Sequence, residues 1–367
     1  MDPVKLRELN MVREGMKMPA YYGETANSCA LDRCLARAKE MIGWDEKYPC
    51  KDMGNGKVRS VGVAMAMQGS GISNCDVGSV TLKVNDDGFY SLMVGCTDMG
   101  TGCDTILAQM AADCLDCDVE NIIVSGVDTD VSPYDCGSYA SSTTYITGMA
   151  VVKTAEELRK KICRNGAEIR GVPEEDAEFD GQRVFVPGGP EVSLKDIANK
   201  AMCNNTHELE VTKQHSSPVS PPPFMVGMVE IELDKVTGKY DIIDYVAVVD
   251  CGTVINPNLA RVQTEGGLVQ GIGMAMYEDV IYGSDGKNYT SSFMQYKIPT
   301  RLDMGNLRVE FESSYEPTGP FGAKSIGEIV INTPSPAIAH AVYNATHVWI
   351  RELPVTPEKI WKGMHEQ

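Results

Sequence analysis

Between Leu31 and Ile42 the apolar residues Leu31, Cys34, Leu35, Ala38, Met41 and Ile42 recur three and four positions apart. That spacing predicts an amphipathic helix, with Ser28 as its N-cap and Gly43 as its stop. The helix needs a surface to cover. From Arg59 the period changes: VGVAMAMQ reads as a buried strand and TLKVNDDGFYSLMVG as a hairpin turning at Asp87-Gly88. A helix over ILAQMAADCL follows, then a strand in NIIVSGVDTD and a long helix running through Cys163. A small hairpin around Asp180-Gly181 and a short helix capped by Ser193 close this half. Asn204 to Pro223, ending in HSSPVSPPP, is the clearest break in the pattern, and its proline content implies an extended connector. Two long strands come next, MVGMVEIELD and KYDIIDYVAVVD, joined by Lys235 to Gly238. Beyond them lie a glycine-dotted helix, Asn258 to Met276, and the final helices in SPAIAHAVYNATHVWI and RELPVTPEKIWKGM. Residues 1–27 are polar with no strand to pair with, and look like the tail of something rather than a beginning.

Three stretches carry candidate chemistry. GPFGAKSIGEIVINTPSP (319–336) sets Glu328 between a glycine-rich turn and an apolar run. Ile326, Ile329, Val330 and Ile331 are expected to keep water away and raise the carboxylate's proton affinity towards that of a general base. The other reading of Glu328 is a first-turn helix carboxylate beside the dipole. CTDMGTGCDT (96–105) is a glycine-flanked turn that delivers a helix N-terminus, whose free amides suit an anionic or oxygen-rich ligand unless it is simply a tight connection. It matches neither a Walker loop nor a dinucleotide fingerprint. The run Gly137 to Thr144 is small and hydroxyl-rich, fit to wrap a polar ligand or to form a solvated loop. On the later helix, glycines 266, 267, 271 and 273 cost stability that a close approach must offset, and Gln263 and Gln270 lie on it.

Composition narrows the class. A chain of 367 residues with 43% hydrophobic positions can bury a large core. Its 33 basic and 51 acidic residues leave a net charge of -18, the wrong sign for nucleic acid. No apolar run reaches the length of a membrane span and the N-terminus lacks a signal-peptide core, so the expected location is the cytoplasm. The twelve cysteines read as reduced thiols, and Cys114 with Cys117 has no second pair to make a metal site. The histidines at 207, 215, 340, 347 and 365 have no zinc spacing, and His340 and His347 read as packing or surface residues. With no Ser/His/Asp order to argue, the reactive group is expected to come from a cofactor.

Seven segments in order resemble one family: GCTDMGTGCDTILAQMAADCL, YDCGSYASSTTYITGMAV, SSPVSPPPFMVGMVEIELDKVTGKYDI, DCGTVINPNLARVQTEGGLVQGIG, YKIPT, GAKSIGE and RELPVTPEKI. The family is the molybdenum hydroxylases, the xanthine dehydrogenase and aldehyde oxidoreductase group. The matching part is the C-terminal molybdopterin-binding half of their large subunit. The resemblance implies an α+β fold of mixed sheets with flanking helices. It also implies a molybdopterin cofactor with molybdenum, in the cytosine dinucleotide form, the metal being held through the pterin dithiolene. Glu328 matches the family's catalytic glutamate, the base in a hydroxylation that takes its oxygen from water. Gly100, Thr101 and Gly102 match the turn beside the pterin and the metal's oxygen, and Gly137, Ser138, Tyr139, Ala140 and Ser141 match a pterin-binding loop. Gln263 and Lys324 match further cofactor contacts, and Asn74 with Cys75 the substrate pocket.

Two positions depart from the family pattern. Thr101 stands where many members have Gln, and Asn74 where purine-oxidising members often place a Phe that stacks on the substrate. The family's earlier half has no counterpart in this sequence. The resemblance therefore implies a heteromeric complex with an N-terminal molybdopterin-binding half-subunit, as in the nicotinate dehydrogenase branch, an iron-sulfur subunit carrying 2Fe-2S and a flavin subunit carrying FAD. The expected division is an N-terminal helical segment, 1–55, packing on the partner half-subunit, and two molybdopterin-binding subdomains, 56–223 and 224–367. The expected substrate is a nitrogen heteroaromatic. An aldehyde oxidoreductase, or a non-catalytic scaffold bracing a partner, is the alternative.

Overall fold

The computed structural model describes residues 1–203 and 209–366. His207 and the start of the expected connector, 204–208, lie outside the described residues. The chain forms two compact units: Met1–Gln68 with Pro221–Glu316 and Ile326–Gln367, and Gly69–Ser220 with Pro317–Ser325.

The first unit is built on a five-stranded mixed sheet in the order Cys50–Gly54, Lys57–Met67, Phe224–Asp234, Tyr240–Asp250, Asn306–Phe311. The first four strands pair antiparallel and the last pair is parallel. Both faces of the central strands are covered, which is why they read as unbroken apolar runs rather than as an alternation. Val226, Met228, Val246 and Val248 join one core and Met225, Val229, Tyr245, Ala247 and Val249 the other. Parallel return demands a long crossover. Helix Pro257–Met276 supplies it and packs on the second face together with helix Pro334–Thr346. Gly62 lets the latter helix lie directly on the sheet, since a Cβ there would sit 2.0 Å from the Ala337 carbonyl oxygen. Asn344 Nδ2 then donates to the Val61 carbonyl (2.7 Å), and His340 Nδ1 accepts from the Val63 N–H (3.1 Å). His340 is a packing residue, as expected; His347 is an exposed residue ending the helix in a left-handed conformation.

Two expectations about the beginning of the chain are corrected. Helix Leu31–Ile42 buries its apolar stripe against Val226, Met228, Val246 and Val248 of its own chain, so that segment does not need a partner half-subunit for its surface. Ser28 is not its cap: the N-cap is Ala30, whose N–H donates to Asp250 Oδ2 (2.7 Å), while Ser28 Oγ donates to Glu316 Oε2 (2.7 Å). Residues 1–27 fold into the same unit. Helix Pro3–Asn10 is capped by Asp2, and Val4, Met18 and Ala26 are buried in the same core.

The second unit holds a four-stranded sheet, Ile122–Ser125, Tyr90–Val94, Gly78–Val84 and Glu210–His215, and a three-stranded one from Glu178–Phe179, Arg183–Phe185 and Glu191–Ser193. The hairpin at Asp87-Gly88 forms as expected, with Gly88 at φ +90°. Helix Cys103–Leu115 and the 23-residue helix Gly148–Arg170 complete it, the latter running well past Cys163. Ser193 caps helix Leu194–Cys203, accepting the Asp196 N–H at 3.1 Å. None of the twelve cysteines, all among the described residues, is joined in a disulfide. Burial pushes the Cys114 thiol up to about 12 and Cys117 up to about 11, which keeps both protonated near neutral pH.

Candidate active site

In the first unit Glu328 stands at the start of a short turn, Ile329–Ile331, that leads into helix Pro334–Thr346. The apolar run does not wall off its carboxylate. Ile329 and Val330 point into the core beneath it, Ile326 and Ile331 are half-buried, and Glu328 itself is exposed within this unit. The expected desolvation by these neighbours is therefore not found, because they anchor the backbone instead. Two amides hold the residue from either side. Gln263 Nε2 donates to the Gly327 carbonyl at 3.2 Å, and Gln68 Nε2 approaches Glu328 Oε2 at 3.5 Å.

The glycines of helix Pro257–Met276 make this platform possible. A Cβ at Gly267 would lie 2.1 Å from Val330 Cγ2, and one at Gly271 would lie 2.7 Å from Pro334 and 2.8 Å from the Ile331 carbonyl oxygen. The close approach that these glycines allow is to the Glu328 segment. Gly266 differs, with nothing within 4 Å of its would-be Cβ.

In the second unit, strand Tyr90–Val94 runs through buried Cys96 into the turn before helix Cys103–Leu115. The turn's amides are not free as expected. Asp98 Oδ1 accepts the N–H groups of Gly100 (2.9 Å) and Gly102 (3.1 Å), and Oδ2 that of Asp104 (3.4 Å). The carboxylate already fills the nest that an anionic ligand would use. Burial pushes the Asp98 carboxyl up, but these N–H donors outweigh it and hold it below the usual carboxylate range. Left-handed backbone at Gly100 and Gly102 (φ +100° and +75°) wraps the chain around it, and Thr101 is left half-exposed between them. Cys103, Asp98 and Asp104 lie within 4.8 Å of one another, but Asp98 spends its oxygens on the backbone.

Asp98→Ala is expected to lower hydrogen-exchange protection at Gly100 and Gly102 by about tenfold. Asp98→Asn, which keeps the Oδ1 acceptor, should lose less. Because the folded pKa is depressed, the carboxylate's contribution is present above the usual carboxylate range and disappears as pH falls through the folded value. Exchange measured against pH checks this, and Asp98→Asn should flatten the profile.

The hydroxyl-rich loop is tied by its own side chains. Gly137 N–H donates to Asp135 Oδ1 (2.8 Å), Ser138 Oγ to the Thr97 carbonyl (3.4 Å) and Tyr139 Oη to buried Asp76 Oδ1 (2.7 Å). Ala140 and Ser141 are both left-handed, at φ +50° and +56°, which is a strained choice for residues with a Cβ. The Ala140 carbonyl accepts the Gly71 N–H (2.9 Å), and Ser141's carbonyl accepts from Ser325 Oγ. Ser70 Oγ accepts the Ser325 N–H (3.1 Å), so three loops around residues 71, 140 and 325 are laced together. Asn74, left-handed at φ +57°, and Cys75 are exposed side by side on the first of these loops. Lys324 is 1% exposed.

Sequence reasoning missed Asp98, Gln68, Ser70 and Asp76. Of these only Asp98 carried a local signal, an Asp two residues before a glycine in the manner of an Asx-turn. Neutral hydroxyls at Thr101, Ser138 and Tyr139, an open space beyond Gly100 and a strained glycine-flanked loop suit a large polar cofactor bound through hydrogen bonds. No protein ligand set for the metal is needed if the pterin carries it.

Comparison with known proteins identifies the family. The family model described as the molybdopterin cofactor-binding domain matches residues 37–305. A probable hypoxanthine oxidase of Escherichia coli strain K12 is 36% identical over the whole chain, which spans 39% of that protein. A putative xanthine dehydrogenase molybdenum-binding subunit of the same strain is 31% identical over 99% of the chain and half of its own length. Quinoline 2-oxidoreductase from Pseudomonas putida 86 shares the fold at a TM-score of 0.90 and 24% identity, covering all of this chain and 50% of its own. The chain spans half or less of the length of these relatives. With the family model matching residues 37–305 and relatives at 36% and 31% identity along its length, the chain belongs to the molybdopterin cofactor-binding family of the molybdenum hydroxylases.

Proposed function

We propose that this chain is the C-terminal half of the molybdopterin-binding large subunit of a molybdenum hydroxylase acting on a nitrogen heteroaromatic. The observation that carries the reading is the match of the whole chain, at 36% and 31% identity, to two relatives named for oxidation of purines. When bound, the molybdenum cofactor would activate the oxygen that water supplies and accept the two electrons released by the substrate. Glu328 moves the proton, at its exposed carboxylate, and Gln263 and Gln68 set its backbone and its Oε2. Gly100 to Gly102 and Gly137 to Ser141 receive the cofactor, Asp98 keeping the first turn in shape. Thr101 offers a hydroxyl to that region, and Asn74 with Cys75 meets the substrate.

Asn74 offers an amide edge rather than an aromatic face. A substrate with ring nitrogens to hydrogen-bond fits that edge. If aldehydes are turned over and heteroaromatics are not, the aldehyde oxidoreductase reading replaces this one. The cytosine dinucleotide form of the pterin, an N-terminal half-subunit, and iron-sulfur and flavin subunits belong to the same proposal. Elemental analysis of the complex that this chain brings down from its native cells tests it. Stoichiometric molybdenum together with iron is the expected result. A chain isolated alone and free of both metals under gentle conditions overturns it in favour of a non-catalytic scaffold.

A further inference from the structure

Between helix Pro257–Met276 and strand Asn306–Phe311 the first unit sends out an excursion with no core of its own. From Tyr277 to Asp303 not one residue is buried. Yet it is a folded element. Tyr282 bridges Asn288, the Tyr289 N–H donates to the Ile281 carbonyl (2.8 Å), and that of Gly283 to the Lys287 carbonyl (2.8 Å). A turn at Ser292–Tyr296 and a capping box of Thr300 with Asp303 continue it. The root is fixed where Glu278 packs on Gly273 and accepts the Tyr296 hydroxyl.

Its side chains contradict a solvated role. Ile281, Tyr282, Tyr289, Phe293, Met294 and Leu302 are all exposed, Phe293 and Met294 to 80% and Leu302 to 96%. Ile281 and Tyr282 are neighbours beside the bridge to Asn288, so apolar side chains stand on both sides of it. Single exposed apolar residues need no explanation, but a run of them does. Charge does not explain the segment either. Its four acids (Glu278, Asp279, Asp285, Asp303) and three bases (Lys287, Lys297, Arg301) nearly cancel, in a chain of net charge -18.

We propose that residues 277–303 are a docking arm, and that its occupant is the complementary half of the molybdopterin-binding subunit, through an apolar contact. The occupant follows from length: the relatives that this chain matches from end to end are two to two and a half times as long, the chain spanning 50% and 39% of them. The inference rests on the proposed place of the chain in a large subunit.

The test replaces Phe293 by p-benzoylphenylalanine in the enzyme produced in its own cells, irradiates the purified complex and maps the adduct by mass spectrometry. The expected adduct lies in sequence matching the half of the relatives that this chain does not span. An adduct with a second copy of this chain, with an iron-sulfur or flavin subunit, or none at all, overturns the proposal. As a second arm, Phe293→Asp with Met294→Asp should reduce recovery of the complementary half by about tenfold or more while leaving the chain's own thermal unfolding unchanged. Undiminished recovery also overturns it. Molybdenum measured on the same samples reads the functional assignment separately. An adduct without metal sinks that assignment and keeps the arm; metal without an adduct does the reverse.

Discussion

Glu328→Gln is expected to lower turnover roughly a hundred- to ten-thousand-fold, the usual share of a positioned general base. Gln keeps the shape and one acceptor oxygen but cannot take a proton. Because Glu328 is exposed and its anchoring neighbours Ile329 and Val330 are untouched, stability should change by no more than about 0.5 kcal/mol. Molybdenum content should stay at the wild-type level. Steady-state kinetics beside metal analysis of the same preparation separates the two effects. A Gln variant that turns over normally removes Glu328 from the reaction, and one that loses its metal makes it a structural residue.

The second large effect lies in the helix beneath. Gly267→Val should destabilise the first unit by about 3 kcal/mol, since even the first added carbon would sit 2.1 Å from Val330 Cγ2. Val330 is two residues from Glu328, so the same change displaces that carboxylate and, if it is the proposed base, should depress activity in the protein that still folds. Gly266→Ala is the control. It is one position away with open space around its Cβ, and should gain about 0.5–1 kcal/mol from helix propensity alone. Urea unfolding of the pair is expected to give opposite signs. If both stabilise, the close approach to the Glu328 segment is not what these glycines are for.

The sequence was legible wherever a pattern is local. Helix Leu31–Ile42 and the runs that became strands Lys57–Met67, Phe224–Asp234 and Tyr240–Asp250 show their periods within a dozen residues. The Ser193 cap followed from the same kind of signal, whereas the mixed-sheet fold came from the family resemblance and the strain at Ala140 was not read from the sequence at all. What escaped depends on distant partners. Ser28 was read as a helix cap by its position, but its hydroxyl is taken by Glu316, 288 residues away. Leu31–Ile42 was denied a surface because the strands it covers lie some two hundred residues later. The carboxylate of Glu328 was assigned to an apolar pocket because its neighbours are apolar, and periodicity cannot tell a residue above a core from one inside it. Asp98 is a different failure, since its turn signal was present but glycines drew the reading towards empty amides.

The first unit is assembled from three separate stretches of chain, and that has a consequence for biosynthesis. Strand Lys57–Met67 has Phe224–Asp234 as its neighbour in the sheet, so it leaves the ribosome long before its partner exists. Through that interval the apolar stripe of Leu31–Ile42 has nothing to cover, and the Glu328 platform cannot form until the last stretch is made. Pairings this distant in sequence are slow to close and leave sticky surface waiting. The nascent chain is therefore a natural client for holding chaperones, and its yield on overexpression should be limited by the elongation time between residues 67 and 224 rather than by the stability of the finished sheet.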